Sequence, residues 1–113
     1  MKLITAVLPT AGFEQVHQAL RTLGIPGVTV STVLAPPLGR GRRTPRYEVY
    51  RGVRRQIALQ PAVRMDIVTT DLDAVDVVQV ITVAGAGTGG TVWVQPVDTL
   101  VRIRTKERGE AAL

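Results

Sequence analysis

The chain has no cysteine, which excludes disulfides, thiol nucleophiles and thiolate metal sites. Its one histidine, His17, leaves little from which to build a metal centre, and none is expected. Aromatic residues make up 4% of the chain, which leaves few stacking platforms and weakens the reading of a nucleic-acid-binding module. No apolar run approaches the roughly 18 uncharged residues of a membrane span. Met1-Lys2-Leu3 opens directly into an alternating segment, without the apolar stretch of a signal peptide. A cytoplasmic location is therefore expected, with any membrane association arising through a partner. Acid is scarce where base is dense: seven arginines lie between Arg40 and Arg55, and Glu48 is the one acid among them.

What is present is ordinary globular material. With 113 residues, 45% hydrophobic and 20% charged, the chain suits one folded domain over 1–113. The net charge of +5 comes from twelve Arg and two Lys against nine acids. A basic cluster as dense as 40–55 suits an anionic partner of some kind: nucleic acid, phosphate, acidic protein or membrane surface. The competing reading is a solvated loop kept soluble by its charge.

Periodicity orders the elements. Residues 2–8 alternate up to Pro9 and predict a strand. Phe13, Val16, Leu20 and Leu23 fall at helical spacing and predict an amphipathic helix ending at Gly24. Val28 to Leu34 is β-branched and alternating, a second strand. Ala35 to Gly41 breaks it, and the tract that follows has too few apolar residues to bury a face. Residues 38–56 are thus expected to be a long exposed loop, without regular structure until a partner covers it. Residues 57–69 return to a strand interrupted near Pro61. Asp71 to Ile81 fits either a valine-rich strand or a helix whose stripe runs through Leu72, Val75 and Val78 or Gln79, with Asp71 and Asp73 at its N-terminus. Residues 91–95 and 100–105 read as short strands and 106–113 as a polar tail. This order predicts an α+β fold with helices on one face of an antiparallel sheet.

Two features carry possible chemistry. Gly85-Ala86-Gly87-Thr88-Gly89-Gly90-Thr91 frees the backbone to approach a ligand, and successive free amides in such a loop would make an anion nest. It lacks the Gly-Lys-Thr/Ser of a P-loop, and a flexible connection remains the alternative. Arg102 and Arg104 share a parity, so on a strand both guanidinium groups would leave one face about 7 Å apart, a spacing suited to a di- or triphosphate. Surface charge on an edge strand is the competing reading. His17 has no neighbouring nucleophile, helix capping explains Asp71, Asp73 and Asp76, and Ser31 has no base near it in sequence. No catalytic residue is expected.

Several blocks match a known family in order and spacing: Met1-Lys2-Leu3-Ile4-Thr5-Ala6-Val7, Gly24-Ile25-Pro26-Gly27-Val28-Thr29-Val30, Tyr50-Arg51-Gly52, Val63-Arg64-Met65-Asp66-Ile67-Val68 and Val101-Arg102-Ile103-Arg104-Thr105-Lys106-Glu107-Arg108-Gly109-Glu110. Over nearly its whole length the chain resembles the PII signalling proteins. The resemblance implies a ferredoxin-like βαββαβ protomer, a homotrimer with nucleotide clefts between subunits, and a helix around Val75. It also implies three functional loops: a partner-docking T-loop (38–56), a phosphate-binding B-loop (85–91) and a C-terminal loop (105–113).

Carried over position by position, Gly27, Val28, Thr29, Asp66 and Val68 fall where the family surrounds adenine. Gly87, Gly89, Gly90 and Thr91 fall in the B-loop, and Arg102 and Arg104 match the C-terminal phosphate ligands. Arg40, Arg42, Arg43, Arg46, Tyr50 and Arg51 fall on the partner-binding loop. The departures matter as much. The B-loop pattern Gly-Asp-Gly-Lys reads Thr88-Gly89-Gly90-Thr91, so the lysine that grips outer phosphates is missing, which would shift binding from ATP toward ADP or AMP. The T-loop is longer than usual, and Pro36-Pro37-Leu38-Gly39-Arg40-Gly41-Arg42 replaces the motif whose glutamine helps hold magnesium and 2-oxoglutarate. Ala62 stands where a lysine contacts that keto acid, and Arg55 where classical members carry the uridylylated tyrosine. The resemblance therefore implies a divergent, non-enzymatic trimer that reads adenine nucleotides and reports through an Arg-rich loop to a transporter or enzyme, without sensing 2-oxoglutarate. The alternatives are an ordinary nitrogen regulatory PII protein, a basic nucleic-acid-binding module and a nucleotide hydrolase.

Overall fold

The computed structural model describes the chain except Pro26, residues 38–46 and residues 57–58. Its elements follow in the order β1 (Lys2–Pro9), α1 (Thr10–Leu23), β2 (Thr29–Ala35), β3 (Tyr47–Tyr50), β4 (Val53–Gln56), β5 (Gln60–Thr69), α2 (Asp71–Ala84), β6 (Thr91–Pro96) and a 3₁₀ turn (Gly109–Ala112). Four strands make one antiparallel sheet in the order β2-β5-β1-β6, and β3 and β4 make a separate ribbon. Setting the ribbon aside, the chain is a βαββαβ ferredoxin-like α+β fold. Among the described residues, no helix is long and apolar enough to cross a membrane.

The sheet's register follows from its alternating pattern. Ile4, Ala6 and Leu8 of β1 and Met65 and Ile67 of β5 point to the helices and are buried, since residues two apart share a face. Val16 and Leu20 of α1 and Ala74, Val77 and Ile81 of α2 close that core. The opposite face carries Thr5, Asp66 and Trp93, aligned by the pairs Thr5↔Asp66 and Thr5↔Trp93, with Thr29 opposite Asp66 on β2.

β5 runs unbroken from Gln60 to Thr69, without the interruption expected near Pro61; beyond that, four expectations change. α1 starts at Thr10, three residues early, because Pro9 ends the strand yet serves as the helix N-cap: its fixed φ and missing amide do not hinder a helix that begins after it. In α2 the predicted stripe is only partly inward: Leu72 is 86% and Val75 70% exposed, Val78 is half-buried against the core, and Ala74, Val77 and Ile81 are the buried positions. With apolar residues nearly all round that helix, periodicity does not choose the inner face. Residues 100–105 are not a strand; Val101 makes one isolated bridge to Arg108, and a turn lies between them.

The fourth change falls within the Arg-rich tract. The expected unstructured loop holds a hairpin over 47–56, with Tyr47↔Gln56, Glu48↔Arg55, Val49↔Arg54 and Tyr50↔Val53 in register. Arg51 and Gly52 at its tip have φ of 50° and 77°, the double positive φ of a type I′ turn, whose twist matches that of the strands. Two tyrosines and two valines supply the β propensity that the arginine count obscured.

Candidate functional site

The predicted residues fall into three groups. The first lies along the β2 side of the sheet. Gly27 and Val28 lead into Thr29, the first residue of β2, which sits directly opposite Asp66 of β5. Val68 shares the parity of Asp66 and therefore its face. Asp66 is held firmly. Thr5 Oγ1 donates to Oδ1 at 2.8 Å, Arg64 Nε donates to Oδ2 at 3.0 Å, and Arg64 Nη2 reaches Oδ1 at 3.4 Å. Burial raises the Asp66 pKa, but the Arg64 and Thr5 hydrogen bonds and the Arg64 charge outweigh it and hold the carboxyl below its usual 3.8. Thr5 is itself wholly buried, so its hydroxyl needs this acceptor.

Thr5 and Arg64 were not singled out in the sequence. Thr5 stands 61 positions from Asp66 and meets it only through the β1–β5 register. Arg64 lies two positions before Asp66 on the same strand face, and that parity is the one signal that could have found it.

The second group is the glycine loop. The amide of Ala86 donates to Val83 O, and those of Thr88 and Gly89 donate to Gly85 O at 3.2 and 2.8 Å. The expected run of free amides is therefore partly spent inside the loop. Gly90 has φ of 118°, and a Cβ there would stand 2.5 Å from the Val7 carbonyl oxygen, so only glycine fits this approach to β1. Beside it is a hollow of about 160 Å³ lined by Gly85, Gly89, Gly90, Thr91, Thr82 and Ile81. Gly87 has open space around it. A larger hollow of about 1030 Å³ lies between the outer faces of α1 and α2, lined by Leu23, Val80, Val83 and their neighbours. It includes none of the predicted residues.

The third group departs from expectation. Arg102 and Arg104 are not paired on a strand face, because the chain turns at 103–105. Arg102 instead folds back on residues that follow it: Nη2 donates to the carbonyl oxygens of Leu113 at 2.9 Å and Ala112 at 3.2 Å. Its backbone is fastened as well, through Arg102 N to Glu107 O and Lys106 N to Arg102 O. Arg104 is exposed, with no partner among the described residues. Of the partner-binding residues, Tyr50 ends β3 and Arg51 begins the turn after it; Arg40, Arg42, Arg43 and Arg46 lie outside the described residues. Among the described residues no cluster of acids and histidine could hold a metal ion.

The first and second groups lie at opposite edges of the sheet. From β2 to β6 there are three strand spacings, about 14 Å.

Compared with known proteins, residues 1–107 match the family model "Nitrogen regulatory protein P-II". The chain is similar to nitrogen regulatory protein GlnK of Escherichia coli K12, 35% identical with both chains covered in full. It is 39% identical to nitrogen regulatory protein P-II 2 of Methanothermobacter thermautotrophicus, covering all of this chain and 97% of that one. A nitrogen regulatory protein P-II of Azospirillum brasilense is 33% identical over the full length of both.

Proposed function

We propose that this chain, which belongs to the nitrogen regulatory protein P-II family, is a homotrimeric signalling protein that binds adenine nucleotide between neighbouring subunits. The observation that carries this reading is the separation just described. Thr29 and its neighbours occupy the β2 edge and the glycine loop the β6 edge, about 14 Å apart. In the proposed assembly the β6 edge of one copy lies beside the β2 edge of the next, so that a nucleotide meets one set from each. Among the described residues neither edge is paired, a state that folded proteins normally cover.

ADP and AMP suit the site better than ATP. Thr91 stands where the resemblance calls for the lysine that grips outer phosphates, and Arg104 is the guanidinium free to meet an anion. 2-oxoglutarate lacks its expected glutamine and lysine partners. Occupancy would then bias the Arg-rich tract toward the conformation that a target transporter or enzyme binds, a population shift governed by differential affinity for the two states. Calorimetry with ATP, ADP and AMP tests the reading: saturable heat with at least ADP or AMP is expected, and no heat with any of the three would overturn it. Adding 2-oxoglutarate with magnesium and ATP should leave the titration unchanged.

A further inference from the structure

The hairpin over 47–56 touches no other helix or strand among the described residues; β3 and β4 contact only each other. A two-stranded ribbon alone is marginal in water, and among the described residues no third strand pairs with either edge of this one. The turn decides which backbone groups face outward. In a two-residue hairpin the pair flanking the turn, here Tyr50↔Val53, exchanges hydrogen bonds, and alternate pairs do not. The amides and carbonyls of Tyr47 and Val49 therefore face away from the ladder on the β3 side, and those of Arg54 and Gln56 on the β4 side.

We infer that the free edge of β4 is a docking site for a strand of the partner protein, and that this strand is acidic. The inference rests on the reading of the Arg-rich tract as the docking element and adds how docking occurs. Strand addition takes its affinity from main-chain hydrogen bonds and its selectivity from the residues set opposite one another. Charge favours β4 over β3. β3 reads Tyr47-Glu48-Val49-Tyr50 and includes the tract's one acid; β4 reads Val53-Arg54-Arg55-Gln56. Successive strand positions belong to opposite faces, so each face of β4 has one arginine position, and a strand with two adjacent acids answers both. The wider tract, seven Arg with one Glu, draws such a strand in over roughly a Debye length, ~8 Å at physiological salt.

The test uses the full chain labelled with ¹⁵N and an acetylated, amidated peptide, Thr-Val-Glu-Glu-Val-Thr, as probe. A second peptide of equal charge carries N-methyl groups on alternate amides, which removes its donors to one side. Amide hydrogen exchange at Arg54 and Gln56 should slow about tenfold at saturation, the change that one added set of ladder bonds brings at ~1.4 kcal/mol per factor of ten, and Tyr47 and Val49 should keep their rates. The peptide N-methylated on its pairing side should give no such slowing. Equal slowing with both peptides would mean that charge alone attracts the probe. Slowing at Val49 would assign the wrong edge, slowing without peptide at high protein concentration would make a second copy the occupant, and equal protection by a single-stranded oligonucleotide would point to nucleic acid; each overturns the inference. ADP calorimetry on the same sample keeps the two readings apart. Nucleotide heat without protection sinks the docking inference alone, and protection without nucleotide heat sinks only the nucleotide reading.

Discussion

Asp66 gathers three donor contacts from Thr5 and Arg64, and its lowered pKa makes folding depend on pH in a definite direction. A carboxyl whose folded pKa lies below its unfolded value stabilises the fold above the unfolded value and loses that contribution as pH falls through the folded one. Stability of the unaltered chain should thus drop on acidification through and below about pH 4. Asp66→Asn should be less stable at neutral pH and show a shallower acid drop, as followed by urea unfolding across pH; parallel profiles would refute this role. Arginine partners yield a second contrast at this scale. Arg104→Ala should weaken ADP binding by about 1.5 to 3 kcal/mol, the range for a charge-assisted hydrogen bond. Arg102→Ala should cost less, because the intact Arg102 must release the Ala112 and Leu113 carbonyls before it can meet a phosphate. Calorimetry giving the reverse order would contradict this. The sequence presented Asp66 and Arg102 as residues, but not their partners, which depend on register and on a turn invisible to parity.

Elements were legible to the extent that their periodicity was unambiguous. β1, α1 and β2 follow from alternation and helical spacing, and the core residues Val16 and Leu20 were among those the spacing selected. α2 resisted because valine serves a buried strand and an all-round apolar helix alike, and its inner face was set by the sheet it packs against. The segment 100–105 alternates like a strand but has no neighbouring strand to pair with beyond the Val101↔Arg108 bridge. The glycine loop could be recognised as close-approach backbone, though not which glycine was irreplaceable. Gly90→Ala should destabilise by about 1 to 3 kcal/mol, since its Cβ would meet the Val7 carbonyl at a positive φ. In thermal unfolding this is a fall of roughly 5 to 15 °C, and an unchanged Tm would show that the loop can move aside. In the Arg-rich tract, Arg42, Arg43 and Arg46 replaced together by Ala should abolish partner capture while leaving ADP affinity unchanged. Capture at the same salt concentration by the triple variant would reduce that charge to a solubilising role.

For the whole molecule, ordered sequence blocks identified its fold more surely than any single element. Open sheet edges were not legible from periodicity, because they appear only once strand order is known. The open edges of β2 and β6 predict a trimer in light scattering at micromolar concentration, and a stable monomer would contradict it. Trp93 offers a way to observe that step. It is the only tryptophan in the chain, it lies on β6 at the open edge, on the sheet face away from the helices, and it is 38% exposed. An indole that leaves water for an apolar contact emits at shorter wavelength, so dilution through the assembly equilibrium should move the emission maximum to the red without any added dye. Because β6 begins at the glycine loop, the same emission would respond to nucleotide, and one intrinsic fluorophore would serve as an optical gauge of both subunit contact and effector.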